Sequence, residues 1–481
     1  MTRVVFVNPL DSSVSSKGLG IKTPPLHLMY LAGAVEHAGF SPHIIDANLL
    51  NVPPDKIKDH ISRLHPDMVG LTATTATIST AFRYINKIRF ALPDCFIFIG
   101  GPHASALPDQ TLTGCRQLDA VVIGEGEETV VDLVRSFSQV DPHWPDAVRG
   151  IAYKRKDNAR EQIIVTPPRL LIEDLDTIPF PARHLVPFDE YKLLNRNATI
   201  GFMITSRGCS FACNYCSSSH LMGRRFRARS PKNVVDEVEE LAVTYHVDTI
   251  EFLDDNFIHD RSRALDIAHE IQARGLDISF IASSRVNGVS SHVLSELKQA
   301  GLSTIYYGVE SGSARTLQLM NKRITLSMAE EAVRTAKDCD LRVLTSFILG
   351  YPGETLEDMD ATIRFAIHLD PDFAQFTILT PYPGTPIFQE LREKNLLATE
   401  DWDRYTVLDP VIRYESFGLT PQQVARKLKE AYLRFYLRPG YLFKRKYLLK
   451  TVFFTLYHSY VRPVFRHAGP QGWYRNLPEG K

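Results

Sequence analysis

The tightest constraint on the fold is a strand–helix alternation that runs twice along the chain, with a proline-crowded break between the runs. Short apolar runs alternating with amphipathic stretches predict parallel strands joined by crossover helices. The first series has apolar runs at Val4–Asn8, His43–Asp46, Met68–Thr72, Phe96–Gly100 and Ala120–Gly124. Helical stretches read at Leu26–Ala38, Asp55–Leu64, Ile78–Ala91, Ala104–Thr111 and Glu127–Phe137. Residues 1–140 are therefore expected to form a flavodoxin-like doubly wound α/β domain. Such a sheet binds ligands outside the carboxyl ends of its strands.

Pro167, Pro168, Pro179, Pro181 and Pro187 crowd residues 141–198, a linker in which Ile151–Lys154 and Gln162–Thr166 read as a small hairpin. A second series occupies residues 199–398. Its strand candidates are Ile200–Thr205, Thr249–Leu253, Ile278–Ser283, Thr304–Val309, Val343–Leu349 and Phe373–Leu379. Helices read at Pro231–Tyr245, Arg261–Arg274, Ser291–Ala300, Leu326–Cys339 and Thr355–His368. Six such units predict a partial (β/α)6 barrel with its site at the carboxyl ends of the strands. Residues 399–481 lose the alternation and read as helical from Thr420 to about Val464.

Cys209, Cys213 and Cys216 stand at C-x3-C-x2-C spacing, at the carboxyl end of the first barrel strand. Three thiolates on one loop can hold three irons of a [4Fe–4S] cluster and leave the fourth open to a substrate. A zinc site completed by His220 is the competing reading. Cys95, Cys115 and Cys339 lie in apolar segments and read as buried thiols. With 55 Lys+Arg against 55 Asp+Glu the net charge is zero, so no global basic field argues for nucleic acid. The first residues, Met1 to Pro9, read as a strand rather than a signal peptide, and no apolar run is long enough to span a bilayer. A reducing, cytoplasmic setting is the expectation.

From the cysteine loop onward the chain resembles the radical S-adenosylmethionine (SAM) superfamily. That resemblance implies a cluster that reductively cleaves SAM to a 5′-deoxyadenosyl radical, supplied with electrons by an external donor of flavodoxin or ferredoxin type. It also implies roles for particular residues. Tyr215 matches the aromatic that flanks adenine. Asp254 and Asp255 stand where the family often carries G-G-E at the SAM amino group. Arg285 would take the SAM carboxylate, and Glu310 would bind the ribose or orient Arg285. Gly350 opens the turn Gly350-Tyr351-Pro352-Gly353-Glu354, which resembles the segment near adenine. The stiff loop Thr380–Pro386 would wall the substrate cavity.

A second resemblance covers residues 1 to about 140. Three strand-end loops, around Thr72, Thr74 and Thr75, around Gly100, Gly101 and His103, and around Gly124, Glu125 and Gly126, look like those of cobalamin-binding domains. The resemblance implies that these residues surround cobalamin. One departure matters: many such domains carry D-x-H-x-x-G in the first loop, and here Asp11 is followed by Ser13. A base-off cobalamin is implied, with His103 as the nearest alternative ligand. Together the resemblances imply a cobalamin-dependent radical SAM enzyme that methylates an unactivated carbon by way of methylcobalamin. An oxidative cyclase of the anaerobic Mg-protoporphyrin monomethyl ester type is the alternative, and a non-catalytic cobalamin/Fe–S sensor is a third. The substrate stays open among lipid-like, tetrapyrrole, phosphonate, peptide and antibiotic-precursor classes. The basic, aromatic segment from Ala431 to Tyr457 reads either as a helical lid on the barrel or as a peripheral membrane contact.

Overall fold

The computed structural model describes residues 2–11, 23–137, 144–157, 160–191 and 199–444. Strands β1 (Arg3–Asn8), β2 (Ser41–Asp46), β3 (Met68–Thr72), β4 (Phe96–Gly100) and β5 (Ala120–Val122) lie parallel in the order β2-β1-β3-β4-β5. This is the flavodoxin-like order, with a topological switch between β1 and β3. Side chains alternate across the sheet. Val5, Val7, Val69, Leu71, Ile97 and Ile99 face Ile78, Ala81, Ile85 and Ile88 of the helix Ile78–Ala91. Val4, Phe6, Met68 and Phe98 face Leu28, Ala32 and Val35 of the helix Leu26–His37. Burial on both faces is why these strands read as continuous apolar runs.

Two helical stretches are more broken than their periodicity predicts. Asp55–Leu64 is one α-helical turn, Ile57–Ile61, between 3-10 turns at Pro54–Lys56 and Ser62–Leu64. The fourth inter-strand segment divides at Leu107 into Pro102–Ala106 and Pro108–Gly114, because the residue before a proline is driven out of the helical region. The linker hairpin forms as β6 (Ile151–Asp157) and β7 (Arg160–Val165). β6 pairs antiparallel with β5, so the hairpin extends the first sheet to seven strands.

The remaining strands are β8 (Ile200–Met203), β9 (Ser206–Arg207), β10 (Arg227–Ala228), β11 (Thr249–Phe252), β12 (Ser279–Arg285), β13 (Leu302–Glu310), β14 (Arg342–Leu349) and β15 (Phe373–Ile378). Six of them form one parallel sheet in chain order, β8-β11-β12-β13-β14-β15, the partial barrel expected. β9 and β10 make a separate two-residue antiparallel ladder beside it. The sequence marks where the barrel helices begin. Ser230, Asp260, Ser290, Thr325 and Thr355 each accept the backbone N–H three residues on. A cap of this kind supplies one of the donors that a helix start leaves unpaired.

The barrel core also takes in Met29 of the first domain and Val186, Phe188 and Tyr191 of the linker, so the two units are packed together. The outer edge of β15 is closed by the helix Pro421–Tyr436. The Tyr432 hydroxyl accepts from Phe376 N (3.2 Å) and donates to Phe376 O (2.9 Å); Tyr436 does the same with Ala374 (3.1 and 2.9 Å). Two tyrosines thus satisfy an edge that would otherwise offer unpaired backbone. Tyr441 is buried and donates to Asp372 O at 2.6 Å. The described part of the aromatic C-terminal segment therefore serves the barrel. Its continuation from residue 445, including the rest of the expected helical pattern and the basic run, lies outside the described residues. Among the described residues no helix is long and apolar enough to cross a membrane.

Candidate active site at the junction of the two units

The cysteine loop leaves β9 through Gly208, whose φ of +85° lies in the left-handed region. A Cβ there would meet Arg225 O at 2.3 Å, Gly223 O at 3.0 Å and Met222 O at 3.1 Å, so only glycine fits. The loop is then pinned from distant parts of the barrel. Asn214 N donates to Met320 O (3.1 Å), Asn321 Nδ2 to Ala212 O (2.7 Å), and Ile387 N to Asn214 O (3.1 Å). Cys209 and Cys216 each sit within electrostatic reach of Cys213, and burial raises both thiols above their ordinary range. Thiols that resist ionisation when buried become thiolate ligands when a cation supplies the compensating charge. Arg285 supplies part of it, donating from Nη1 to Cys213 Sγ at 3.4 Å. Among the described residues no three His, Cys, Asp or Glu side chains converge on a point that would hold a single metal ion. A cubane cluster makes no such demand, since each of its irons takes its own ligand. The donor set fits the cluster. His220 is exposed, on the turn Ser218–Leu221.

Around this loop lies a buried polar network. The Arg285 guanidinium stacks on Phe211 at 3.8 Å and donates to Asn287 Oδ1 (3.1 Å) and to the Lys322 carbonyl. Lys322 Nζ bonds Glu310 Oε1 at 2.7 Å and reaches the Tyr215 hydroxyl at 3.3 Å. Burial, then the Glu310 charge, raises the Tyr215 phenol well above its usual range. Glu310 does not orient Arg285, contrary to one expectation: its carboxylate is taken by Lys322. Glu310 also adopts φ +71°, at a register shift in the β13–β14 pairing. A non-glycine residue held there stores strain of a kind concentrated at ligand clamps. Lys322 escaped sequence reasoning because it follows a helix, Ala314–Leu319, rather than a strand end.

The two aspartates part company. Asp254 is buried and accepts from Thr205 N (2.7 Å), Ser206 Oγ (2.6 Å) and the Thr205 hydroxyl, so it fixes the approach to the cysteine loop. Asp255 is solvent-accessible, accepts from Ser218 Oγ at 2.6 Å, and bears electrostatically on Cys209 and Cys216. Crowding by protein, then the charge of Asp254, raises its carboxyl. Gly350 N–H donates to Glu354 Oε2 at 2.6 Å, and its carbonyl accepts from Tyr414 at 3.0 Å.

In the first unit, Thr74 and Thr75 line a cavity of about 350 Å³ together with Asp11, at the β1/β3 switch. The opposite walls are Ser217 and Leu221, just past Cys216, and Tyr382, Tyr405 and Val407. Val407 has φ +60°, a costly backbone for a β-branched residue, and it is held by Ile378 N donating to its carbonyl at 2.7 Å. A larger hollow of about 410 Å³ near Arg392 and Arg413 contains none of the predicted residues. The other predicted cobalamin residues stand back from the cavity. Gly101 (φ +98°) lets the fourth loop close on the third, for a Cβ would meet Ala73 O at 2.6 Å and Thr72 Oγ1 at 2.9 Å. His103 is buried, 3.3 Å from Thr75 Oγ1, with its ring against Trp402; burial lowers its pKa to about 4. His103 thus does not line the cavity. Gly124 N donates to Ser105 Oγ (3.0 Å), and Gly126 packs against Leu31. Glu125 commits its carboxylate elsewhere, to Arg207 (3.0 Å), Arg227 (2.9 Å) and Ile172 N (2.8 Å).

Comparison with known proteins identifies both units. The model of the Radical SAM superfamily matches residues 203–366, and that of the B12 binding domain matches residues 18–134. An uncharacterised methyltransferase of Pyrococcus horikoshii is 40% identical over 444 residues, covering 92% of this chain and 94% of its own length. The anaerobic magnesium-protoporphyrin IX monomethyl ester cyclase of Cereibacter sphaeroides is 30% identical, covering 93% and 74%. Among solved structures, the radical SAM methyltransferase TsrM of Kitasatospora setae, with cobalamin and a [4Fe–4S] cluster bound, aligns with a TM-score of 0.68 at 20% identity, covering 82% of this chain and 75% of that one. The fold and the site define a two-unit enzyme of the radical SAM class. The chain belongs to the radical SAM enzymes that carry a cobalamin-binding domain, and its cofactors are a [4Fe–4S] cluster, SAM and cobalamin. That membership replaces the zinc and sensor readings.

Proposed function

We propose that this enzyme transfers a methyl group from SAM to a carbon of its substrate, in the cavity between its two units. The observation that carries the reading is the cavity itself. Thr74 and Thr75 of the cobalamin-domain loop share one space with Ser217, which directly follows Cys216, and with Leu221 at the end of the next turn. In this reading Cys209, Cys213 and Cys216 hold three irons. Arg285 and Lys322 provide the cations for the SAM carboxylate, and Tyr215 bounds the adenine. When bound, the cluster supplies the electron that cleaves SAM, and cobalamin supplies the methyl carrier. The protein's own residues bind and orient. Asp254 fixes Thr205 and Ser206, and the Lys322–Glu310 pair holds the polar wall. Tyr382, Tyr405 and Val407 line the remaining side of the cavity. An external electron donor is required. The 40% identical relative described as a methyltransferase supports this reading.

Anaerobic turnover with labelled SAM tests it. A methylase releases S-adenosylhomocysteine as well as 5′-deoxyadenosine. Cys213→Ala should abolish cluster absorbance and 5′-deoxyadenosine together; formation of 5′-deoxyadenosine by that variant would sink the radical reading. The similarity to the Cereibacter cyclase supports a second reading, oxidative ring closure. It requires 5′-deoxyadenosine with no homocysteine product.

A further inference from the structure

One arginine bridges the cysteine loop and the glycine loop after β5. Arg207 ends β9, two residues before Cys209. Its Nη1 lies 3.0 Å from Glu125 Oε1, and its Nη2 bonds Glu127 Oε1. Glu125 belongs to the loop after β5, and Glu127 opens the helix Glu127–Phe137 that follows it, both in the cobalamin-binding unit. Glu125 is also gripped from β10, where Arg227 Nη2 is 2.9 Å from Oε1, and from the linker, where Ile172 N is 2.8 Å from Oε2. Arg207 and Arg227 are themselves cross-strand partners. Side-chain exposure is 9% for Arg207, 3% for Glu125 and 2% for Arg227, so the cluster of charges is dry. Burial pushes the Glu125 carboxyl up, but the Arg227 hydrogen bond and the Arg207 charge outweigh it and hold the acid below its usual range. The ions stay ions. Charge-assisted arginine–carboxylate bonds are directional, and Arg207 makes one to each of two glutamates, so they fix relative position where apolar packing would permit sliding.

We propose that Arg207, through Glu125 and Glu127, is the positioning residue that sets the spacing between the cluster loop and the cobalamin loop. This rests on the two-cofactor reading above. A residue that only stabilises the fold would change melting or loading when altered. One that sets spacing changes how the two metal centres sense each other while both stay loaded.

The test uses full-length protein reconstituted with iron, sulfide and hydroxocobalamin. Iron and cobalt content are measured first. The dipolar broadening of the cobalt(II) electron paramagnetic signal by the reduced cluster is then recorded for the parent, Arg207→Lys, Glu125→Gln, Glu127→Gln and the control Glu36→Gln. Glu36 makes an ion pair with His184 at 3.0 Å, well away from the cysteine loop in sequence. The expected result is full loading with altered broadening in at least one of the first three variants and parental broadening in the control. Parental broadening in all loaded variants would overturn the proposal. Equal change in the control would do so as well. Should Arg207→Lys not fold, Glu125→Gln and Glu127→Gln decide the matter, since each keeps the side-chain shape while removing the charge and one accepting oxygen. A parent that takes up iron but no cobalamin would instead bring down the two-cofactor reading, and the proposal with it.

Discussion

Glu354 should make the stability of this enzyme depend on pH in a direction opposite to that of most carboxylates. It is 1% exposed, and its Oε2 accepts from Gly350 N (2.6 Å) and Tyr351 N (3.1 Å), while Oε1, near the Thr316 hydroxyl, has no hydrogen bond within normal length among the described residues. Burial raises its pKa from 4.5 to about 8, against the lowering effect of the two backbone donors. Between those values the folded chain keeps a proton that the unfolded chain has released. The unfolded state then binds fewer protons, so stability falls as pH rises through the window. The gap corresponds to roughly 5 kcal/mol at most, at about 1.4 kcal/mol per pH unit. Gln is neutral at every pH, and its carbonyl can accept from the same two N–H groups. Glu354→Gln should therefore match the parent near pH 5 and exceed it progressively towards pH 9, by a few kcal/mol. Paired urea unfolding curves across that range measure the difference, in which the titration of all other groups cancels. Parallel curves from about pH 5 to about pH 9 would refute the argument, because they would mean that the folded carboxyl ionises like the unfolded one. The effect reaches the site through Tyr351, whose hydroxyl bonds Leu319 O at 3.2 Å, the same carbonyl that takes Asn214 of the cysteine loop.

Gly208→Ala should cost about 1–2 kcal/mol of backbone strain and, through its three carbonyl contacts, lower iron loading. Gly275→Ala, also at positive φ but with nothing within 4 Å, should cost the strain alone and leave iron content unchanged. Lys322→Met leaves Glu310 buried without its partner, a loss of about 3–5 kcal/mol. Adding Glu310→Gln should recover most of that stability without recovering SAM affinity, measured by equilibrium dialysis. Tyr436→Phe removes both hydrogen bonds to Ala374 on the edge of β15; about 1–3 kcal/mol should be lost in unfolding, with more aggregation on heating.

The architecture was legible because burial imposes pattern. Strands covered on both faces have little choice but Val, Ile, Leu and Phe, and Met68–Thr72 and Phe96–Gly100 read with their observed bounds. The pairing of β6 on β5 was not legible, since its apolar side faces a partner that local sequence does not name. Motifs located the loops but not the direction of each side chain. Glu125 sits in a cobalamin-type glycine loop, yet its partners Arg207 and Arg227 lie 82 and 102 residues away. Asp254 and Asp255 are adjacent and chemically alike. Their different fates follow from which one the strand end turns inward, towards Thr205. Lys322 carries no local signal at all, because its importance is made by Glu310 and Tyr215 on other elements.

The placement of buried charge follows a common logic. A second carboxylate, Glu237, is also held between two arginines: it bonds Arg183 and Arg229, both buried. Arg183 reaches on to Phe202 O (3.2 Å), and Arg229 to Ile204 O (3.0 Å). Residues 200–207 are thus gripped at one end by the Glu237 triad and at the other by the Glu125 triad. Buried ion pairs of this kind are poor sources of net stability, because desolvation consumes most of the Coulombic gain. Apolar side chains of similar volume would hold the segment at least as strongly, but less definitely in position. The segment so fixed leads directly into Cys209. On the proposed reading, in which three thiolates meet one cluster and that cluster faces a second cofactor, an error of position costs more than a small loss of stability. The charges are therefore better understood as setting a location than as strengthening the fold.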